Sequence, residues 1–146
     1  MSNVRRHEAH LSNLNLAVNW YFIAAGILSF AIGLVHSVLG ESLIFRRMRA
    51  SGFIPTNGGQ VLREPHVRIL WASWHVVTVL GWCLAALLLC LALPTSSAMA
   101  QLPVAHAISG SMLASSILVL VGTRGKHLGW LGLLGVAILT AIGSYA

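Results

Sequence analysis

The sequence predicts an all-α polytopic membrane protein with four transmembrane helices in an up-down bundle. Of its 146 residues, 57% are hydrophobic and only 8% are charged, whereas a soluble domain carries about a quarter charged residues. A helix needs about 20 apolar residues to cross the hydrocarbon layer of a membrane. Four such stretches lie at about residues 17–45, 67–93, 99–123 and 127–145. Little chain remains outside them, so we expect a single four-helix domain over residues 1–146.

The basic residues predict how these helices are oriented. Seven of the nine lie beside the first and third connections: Arg46, Arg47, Arg49, Arg63, Arg68, Arg124 and Lys126. Only Arg5 and Arg6 lie on the other side. Because cytoplasmic loops are enriched in Lys and Arg, we expect an integral protein of a bacterial inner membrane with both termini outside the cytoplasm. Topology and contact with anionic lipid head groups account for the net charge of +6, so we do not expect nucleic acid as a partner.

The first predicted helix carries a stripe of small residues that includes a histidine. At helical spacing, one face collects Gly26, Ser29, Gly33, His36, Ser37 and Gly40. Small residues let a second helix approach closely, so we expect this face to point into the bundle rather than towards lipid. An ionisable residue on such a face is a candidate for function. We therefore expect the functional site to be built around His36.

The second predicted helix supplies a second histidine. His75 and Arg68 lie seven residues apart on predicted helix 67–93 and so share one face. Counted from the arginines that end each helix, His36 lies about 15 Å and His75 about 10 Å into the membrane, which is close enough to share one layer. By the same count Glu41 lies near the level of Arg68. We expect these two residues to form an ion pair beneath the histidines.

The third and fourth predicted helices offer less chemistry. His106 would lie about 27 Å from the cytoplasmic boundary, near the outer face, and therefore outside the layer of the other two histidines. The fourth predicted helix and the turn before it carry glycines at spacings of three and four: Gly122, Gly125, Gly129, Gly132 and Gly135. Such a run is typical of a helix-packing surface, either within the bundle or between copies of the chain. We therefore expect a homo-oligomer or a subunit of a larger membrane complex.

A pair of histidines on neighbouring helices is typical of the axial ligands of b-type haem. Gly33 and Gly40 flank His36 and would leave room for the edge of the porphyrin. Arg68 could pair with a propionate group. On this interpretation His36 and His75 bind haem b, and the expected function is electron transfer or redox support.

Other interpretations of the same residues stay open. A transition metal ion could be held by His36, His75 and Glu41. The histidines could instead be packing residues of a structural or assembly subunit. They could also belong to a small proton- or ion-coupled transporter, in which His36, Glu41 and His75 pass a proton. The sequence contains no CxxCH, HExxH, Gly-rich phosphate loop or Ser-His-Asp set, so it predicts no enzyme class.

Overall fold

The structure is a computed structural model that describes residues 18–94 and 98–146. Arg5 and Arg6, which entered the prediction of orientation, lie outside the described residues. The helices, in chain order, are α1 (Trp20–Leu39), a π-helix (Gly40–Ile44), a 3-10 helix (Phe45–Met48), α2 (Glu64–Leu91), α3 (Ala98–Gly122) and α4 (Gly129–Gly143). The described residues form no strand, only an isolated bridge between Gly58 and Leu62. The all-helical prediction is confirmed.

Three of the helical segments are long and apolar enough to cross a membrane: Trp20–Met48, Glu64–Leu91 and Gln101–Gly122. The fourth apolar helix, α4, has 15 residues and is therefore about 22 Å long. That length is shorter than the hydrocarbon layer of about 30 Å, so a fourth span at about 127–145 stays a prediction. The membrane class of the protein is supported, and the up-down arrangement of four helices in one bundle stays a prediction.

The helix starts follow from local chemistry. Asn19 precedes α1, and its side-chain oxygen accepts the backbone N–H groups of Tyr21 at 3.1 Å and Phe22 at 3.2 Å, which satisfies two donors that a helix start leaves unpaired. Helix α2 begins at Glu64-Pro65. Proline suits the first turn of a helix, and an acidic residue suits its positive end.

The chain divides into two compact units, and both α1 and α2 contribute residues to each of them. The larger unit contains the described residues up to Leu28 and those from Leu84 onwards, and the smaller unit is Ser29–Cys83. All of the residues predicted to form the functional site lie in the smaller unit.

In the larger unit, α3 and α4 pack antiparallel through serine side chains. Ser109 Oγ donates to the carbonyl of Ala137 at 2.9 Å, and Ser116 Oγ donates to that of Trp130 at 2.8 Å. The side chain of Asn19 joins the start of α1 to the end of α4, because its amide donates to the Gly143 carbonyl at 2.7 Å.

The larger unit also contains His106 and the glycine run. His106 Nε2 lies 3.1 Å from the hydroxyl of Tyr145. Of the glycines predicted to form a packing surface, Gly135 lies against another helix, since a Cβ there would be 3.1 Å from Leu28. Gly122 faces open space.

Candidate functional site

The C-terminal half of α1 and the N-terminal half of α2 pack closely and antiparallel in the smaller unit. Ser29 Oγ donates to the Gly81 carbonyl at 3.2 Å, and Trp82 Nε1 donates to the Phe30 carbonyl at 3.3 Å. A Cβ on Gly33 would lie 2.9 Å from Trp82 Nε1, so the absence of a side chain there admits the indole. The prediction that the small-residue stripe faces another helix is confirmed.

His36 is held flat against a tryptophan. Its ring stacks on that of Trp74 with centroids 4.2 Å apart and planes 7° from parallel. Trp74 Nε1 also donates to the backbone carbonyl of His36 at 3.0 Å. Gly40 makes this arrangement possible, because any side chain at Gly40 would overlap the indole. Phe45 completes the packing with its ring edge towards Trp74, at a centroid distance of 5.7 Å.

His75 lies at the same level of the helix pair and has polar groups on both sides of its ring. Its Nδ1 is 2.7 Å from Ser37 Oγ, and Thr78 Oγ1 donates to the same oxygen at 3.4 Å. Its Nε2 is 3.9 Å from Glu41 Oε2. The ring of Trp71 meets the imidazole edge-on at a centroid distance of 5.0 Å. A row of two hydroxyls, an imidazole and a carboxylate therefore crosses the interface between the two helices.

An arginine closes this row at the end of the first helical segment. Arg49 forms an ion pair with Glu41, and their side chains are 21% and 33% exposed. Arg49 Nε also donates to the Phe53 carbonyl at 2.6 Å, and its guanidinium lies 5.3 Å from the centre of the Phe53 ring. Glu41 itself lies in the π-helix Gly40–Ile44. Such wide turns are rare and frequently occur at functional sites.

The predicted ion pair between Glu41 and Arg68 is wrong. Arg68 pairs with Glu64, with 2.7 Å between its NH2 and Glu64 Oε1 and 2.8 Å between its Nε and the same oxygen. Glu64 lies four residues earlier on α2, a spacing that brings the two side chains together on one helix without any help from a second helix. Glu41 is reached instead by Arg49, which follows the 3-10 helix and comes from the same part of the chain. Arg68, half exposed, therefore lies away from the row of polar groups around His75.

The glycines predicted to leave room for haem are covered by tryptophans. Trp82 covers Gly33, and Trp74 covers Gly40. The same Trp74 indole occupies one face of the His36 ring. A haem at this place would require both indoles to move, so these contacts give haem b no support and it stays a prediction.

A metal ion would need several ligands close together. Among residues 18–94 and 98–146, no three His, Cys, Asp or Glu side chains form a group that could hold a metal ion. His75 and Glu41 are neighbours, but one imidazole and one carboxylate are fewer ligands than a typical zinc or copper site uses. A metal ion bound by His36, His75 and Glu41 stays a prediction.

Several residues of the site were not singled out by the sequence. Ser37 was on the small-residue stripe, but its spacing gave no sign that it would meet an imidazole. Thr78 had no distinguishing signal. Arg49 is one of several neighbouring arginines that predict topology, and nothing in the sequence distinguishes it from Arg46 and Arg47. Trp74 is one of three tryptophans on the second predicted helix, a pattern typical of interfacial anchors, and it covers His36 instead.

Comparison with known proteins gives no guide to the chemistry, because no protein-family model, curated protein or solved structure matches the chain. The contacts around His75 are therefore the main guide to function. A hydroxyl on one nitrogen of an imidazole and a carboxylate beside the other form an arrangement in which a proton can be accepted on one side and released on the other.

Proposed function

We propose that this small membrane protein moves protons, and that His75 is the group that takes them up and releases them. The observation that carries the proposal is the position of the imidazole between Ser37 Oγ at 2.7 Å and Glu41 Oε2 at 3.9 Å. Histidine is the only side chain whose charge ordinarily changes between roughly pH 5 and pH 8. An ionisable group on the face between two apolar helices is also typical of proton pathways.

The two sides of the ring have different roles in this mechanism. In the neutral form with the proton on Nδ1, His75 donates Nδ1–H to Ser37 Oγ and presents the lone pair of Nε2 to the Glu41 side. A proton that arrives from this side binds Nε2 and makes the ring positively charged, and the carboxylate of Glu41 stabilises that charge. The ring then gives its Nδ1 proton to Ser37 Oγ, and the Ser37 hydroxyl turns and passes its own proton to Thr78 Oγ1, 3.4 Å away. The ring is now neutral with its proton on Nε2, and it accepts the next proton once a change of tautomer or a turn of the imidazole has restored Nδ1–H.

The Glu41 side is where we expect protons to enter. A separation of 3.9 Å is longer than a direct hydrogen bond, so transfer between Glu41 and His75 requires a bridging water molecule or a small approach of the two side chains. Both side chains are about one-third exposed, which gives water access to this end of the row. With the orientation predicted from the basic residues, this end faces the cytoplasm.

Proton flux into liposomes tests the proposal. The purified chain is reconstituted with a pH-sensitive dye inside the vesicles, and a potassium gradient with valinomycin supplies the voltage. We expect flux above that of empty vesicles, and loss of most of it in Glu41→Gln and in His75→Gln. The matched controls are Glu64→Gln and His66→Gln, which change exposed residues at the start of the same helix and should leave the flux unchanged.

The same preparation distinguishes the proposal from its alternatives. The proposal is wrong if the wild-type protein produces no flux, or if Glu41→Gln and His75→Gln behave like their controls. A Soret absorption band that is lost in His36→Ala would support haem b instead. Absence of flux together with loss of thermal stability in His75→Gln would favour a structural role for this residue.

A further inference from the structure

The segment that connects the first two spans is folded against the end of the first span. The carbonyl of Met48 accepts the backbone N–H groups of Thr56 at 3.1 Å and Asn57 at 2.8 Å. Gly52 and Gly59 make turns with φ of 80° and 66°, values that glycine adopts without strain. Segment 49–63 therefore has a defined position, and all of it belongs to the smaller unit.

Segment 49–63 exposes large apolar side chains although it is not a membrane span. Phe53 is 74% exposed and Val61 is 87% exposed. Exposed apolar side chains are expected on helices that face lipid. In a connection between helices, large apolar side chains are ordinarily buried or absent. At the end of two spans, such side chains suit the layer between lipid head groups and acyl chains.

The same region carries three arginines that form no ion pair with a side chain of residues 18–94 or 98–146. Arg46, Arg47 and Arg63 are exposed. In the part of the chain that the structure describes, the only side-chain carboxylates are those of Glu41 and Glu64, and each is already paired with another arginine. The three exposed arginines are therefore available to an external anion. Their position beside exposed apolar side chains indicates a surface that carries both negative charge and hydrocarbon.

Two sets of contacts connect segment 49–63 to the row around His75. Arg49 holds Glu41 through an ion pair and holds Phe53 through its backbone carbonyl. The Phe53 ring also meets Trp71 edge-on at a centroid distance of 5.9 Å, and Trp71 in turn meets His75 at 5.0 Å. A displacement of Phe53 would therefore reach both the carboxylate and the imidazole.

We propose that segment 49–63 docks on anionic phospholipids and that this docking sets the geometry of the site. Phe53 and Val61 enter the interfacial layer, and Arg46, Arg47 and Arg63 contact the lipid phosphates. Each basic residue close to an anionic membrane surface strengthens binding about fivefold. The docking itself is independent of the proposed proton movement, and its effect on the site rests on that function.

Site-directed spin labelling of the full chain tests the docking. A nitroxide is attached to Val61→Cys in a Cys83→Ala/Cys90→Ala background, and the protein is reconstituted in phosphatidylcholine vesicles with or without phosphatidylglycerol. Oxygen concentrates in the hydrocarbon layer, so a high rate of collision with oxygen indicates that the label lies among acyl chains. A nickel chelate stays in water, so a high rate of collision with it indicates that the label is exposed to water. We expect phosphatidylglycerol to raise the oxygen collision rate and lower the nickel rate.

Two double substitutions that remove the same charge at different places show which basic residues contact the lipid. The double substitution Arg46→Gln/Arg47→Gln should cancel most of the effect of phosphatidylglycerol, whereas Arg124→Gln/Lys126→Gln removes the same charge elsewhere and should preserve it. The proposal is overturned if the label is equally accessible to water in both vesicles, or if the two double substitutions act alike. It is also overturned if inorganic phosphate without phosphatidylglycerol shifts the label to the same extent, because the site would then bind free anions.

Proton flux in the two kinds of vesicle tests the effect on the site. We expect the flux of the wild-type chain to differ between them, and Phe53→Ala to remove that difference. Equal lipid dependence in Phe53→Ala and in the wild type would overturn the connection between docking and the site. The spin-label measurement requires no flux, so failure of the docking proposal and failure of the proposed proton movement can be told apart.

Discussion

Substitution of Gly40 by alanine tests the packing on which the site depends. A Cβ on Gly40 would have only indole atoms of Trp74 as its nearest neighbours, with Cδ1 at 2.8 Å and two other atoms still closer. The indole is held in place by its hydrogen bond to the His36 carbonyl and by its stacking on the His36 ring. It cannot turn away from a methyl group without losing both interactions.

The expected magnitude follows from these contacts. Forcing a methyl group into a closely packed interface costs about 1–3 kcal/mol, and loss of the hydrogen bond between Trp74 and His36 costs about 1 kcal/mol. Replacement of glycine by alanine within a helix stabilises the folded state by up to about 1 kcal/mol, which offsets part of this cost. We therefore expect Gly40→Ala to lower the free energy of unfolding by about 2 kcal/mol.

The matched control is Gly81→Ala, which lies in the same unit. A Cβ on Gly81 would meet nothing within 4 Å, so this substitution should leave stability unchanged or raise it by up to about 1 kcal/mol. Both variants are unfolded by titration with sodium dodecyl sulfate in mixed micelles, with the near-ultraviolet circular dichroism of tryptophan as the signal. Equal stability of Gly40→Ala and Gly81→Ala would refute the reasoning.

Three further predictions concern the polar contacts. Ser37→Ala should reduce proton flux because it removes the hydroxyl on His75 Nδ1, whereas Ser42→Ala, which removes a hydroxyl bonded to its own helix, should not. A double-mutant cycle of Glu41→Gln and Arg49→Gln should give a coupling of at least about 0.5 kcal/mol in the detergent titration, and no coupling would contradict the ion pair. Asn19→Ala should lower stability by about 1–2 kcal/mol, because it removes a helix cap together with a hydrogen bond to α4; unchanged stability would contradict both contacts.

The close contact of the first two helices could be predicted from sequence because it depends on residue size and spacing. Gly26, Gly33 and Gly40 recur every seven residues, and each lies where a side chain would meet α2. Counting along the helices likewise placed His36 and His75 at one level, and the structure agrees. A count of residues measures depth directly, since the rise per residue of a helix is constant.

The partners of each side chain could not be obtained in the same way. Which face meets a neighbour depends on helix rotation, and the π-helix Gly40–Ile44 changes that rotation just before the charged residues. No pattern in GESLI marks a wide turn. The assignment of Glu41 to Arg68 assumed a continuous α-helix and ignored that Glu64 was nearer to Arg68 along the chain. Arg68 pairs with Glu64 on its own helix, and Glu41 pairs with Arg49.

The polar row around His75 is not the only set of hydrogen bonds between the two helices. Ser29 and Trp82 also join α1 to α2, because each donates a hydrogen bond to a backbone carbonyl of the other helix. Buried neutral donors that are hydrogen-bonded in this way are common in proteins. An imidazole, a carboxylate and a guanidinium are more expensive to place at the end of a membrane span, because charge loses solvation there. Replacement of a buried ion pair by apolar residues of similar volume is often neutral or stabilising, so packing alone does not call for these groups. The cost of placing these ionisable groups here therefore supports the proposal that a proton moves through His75, because that function requires a group whose charge changes.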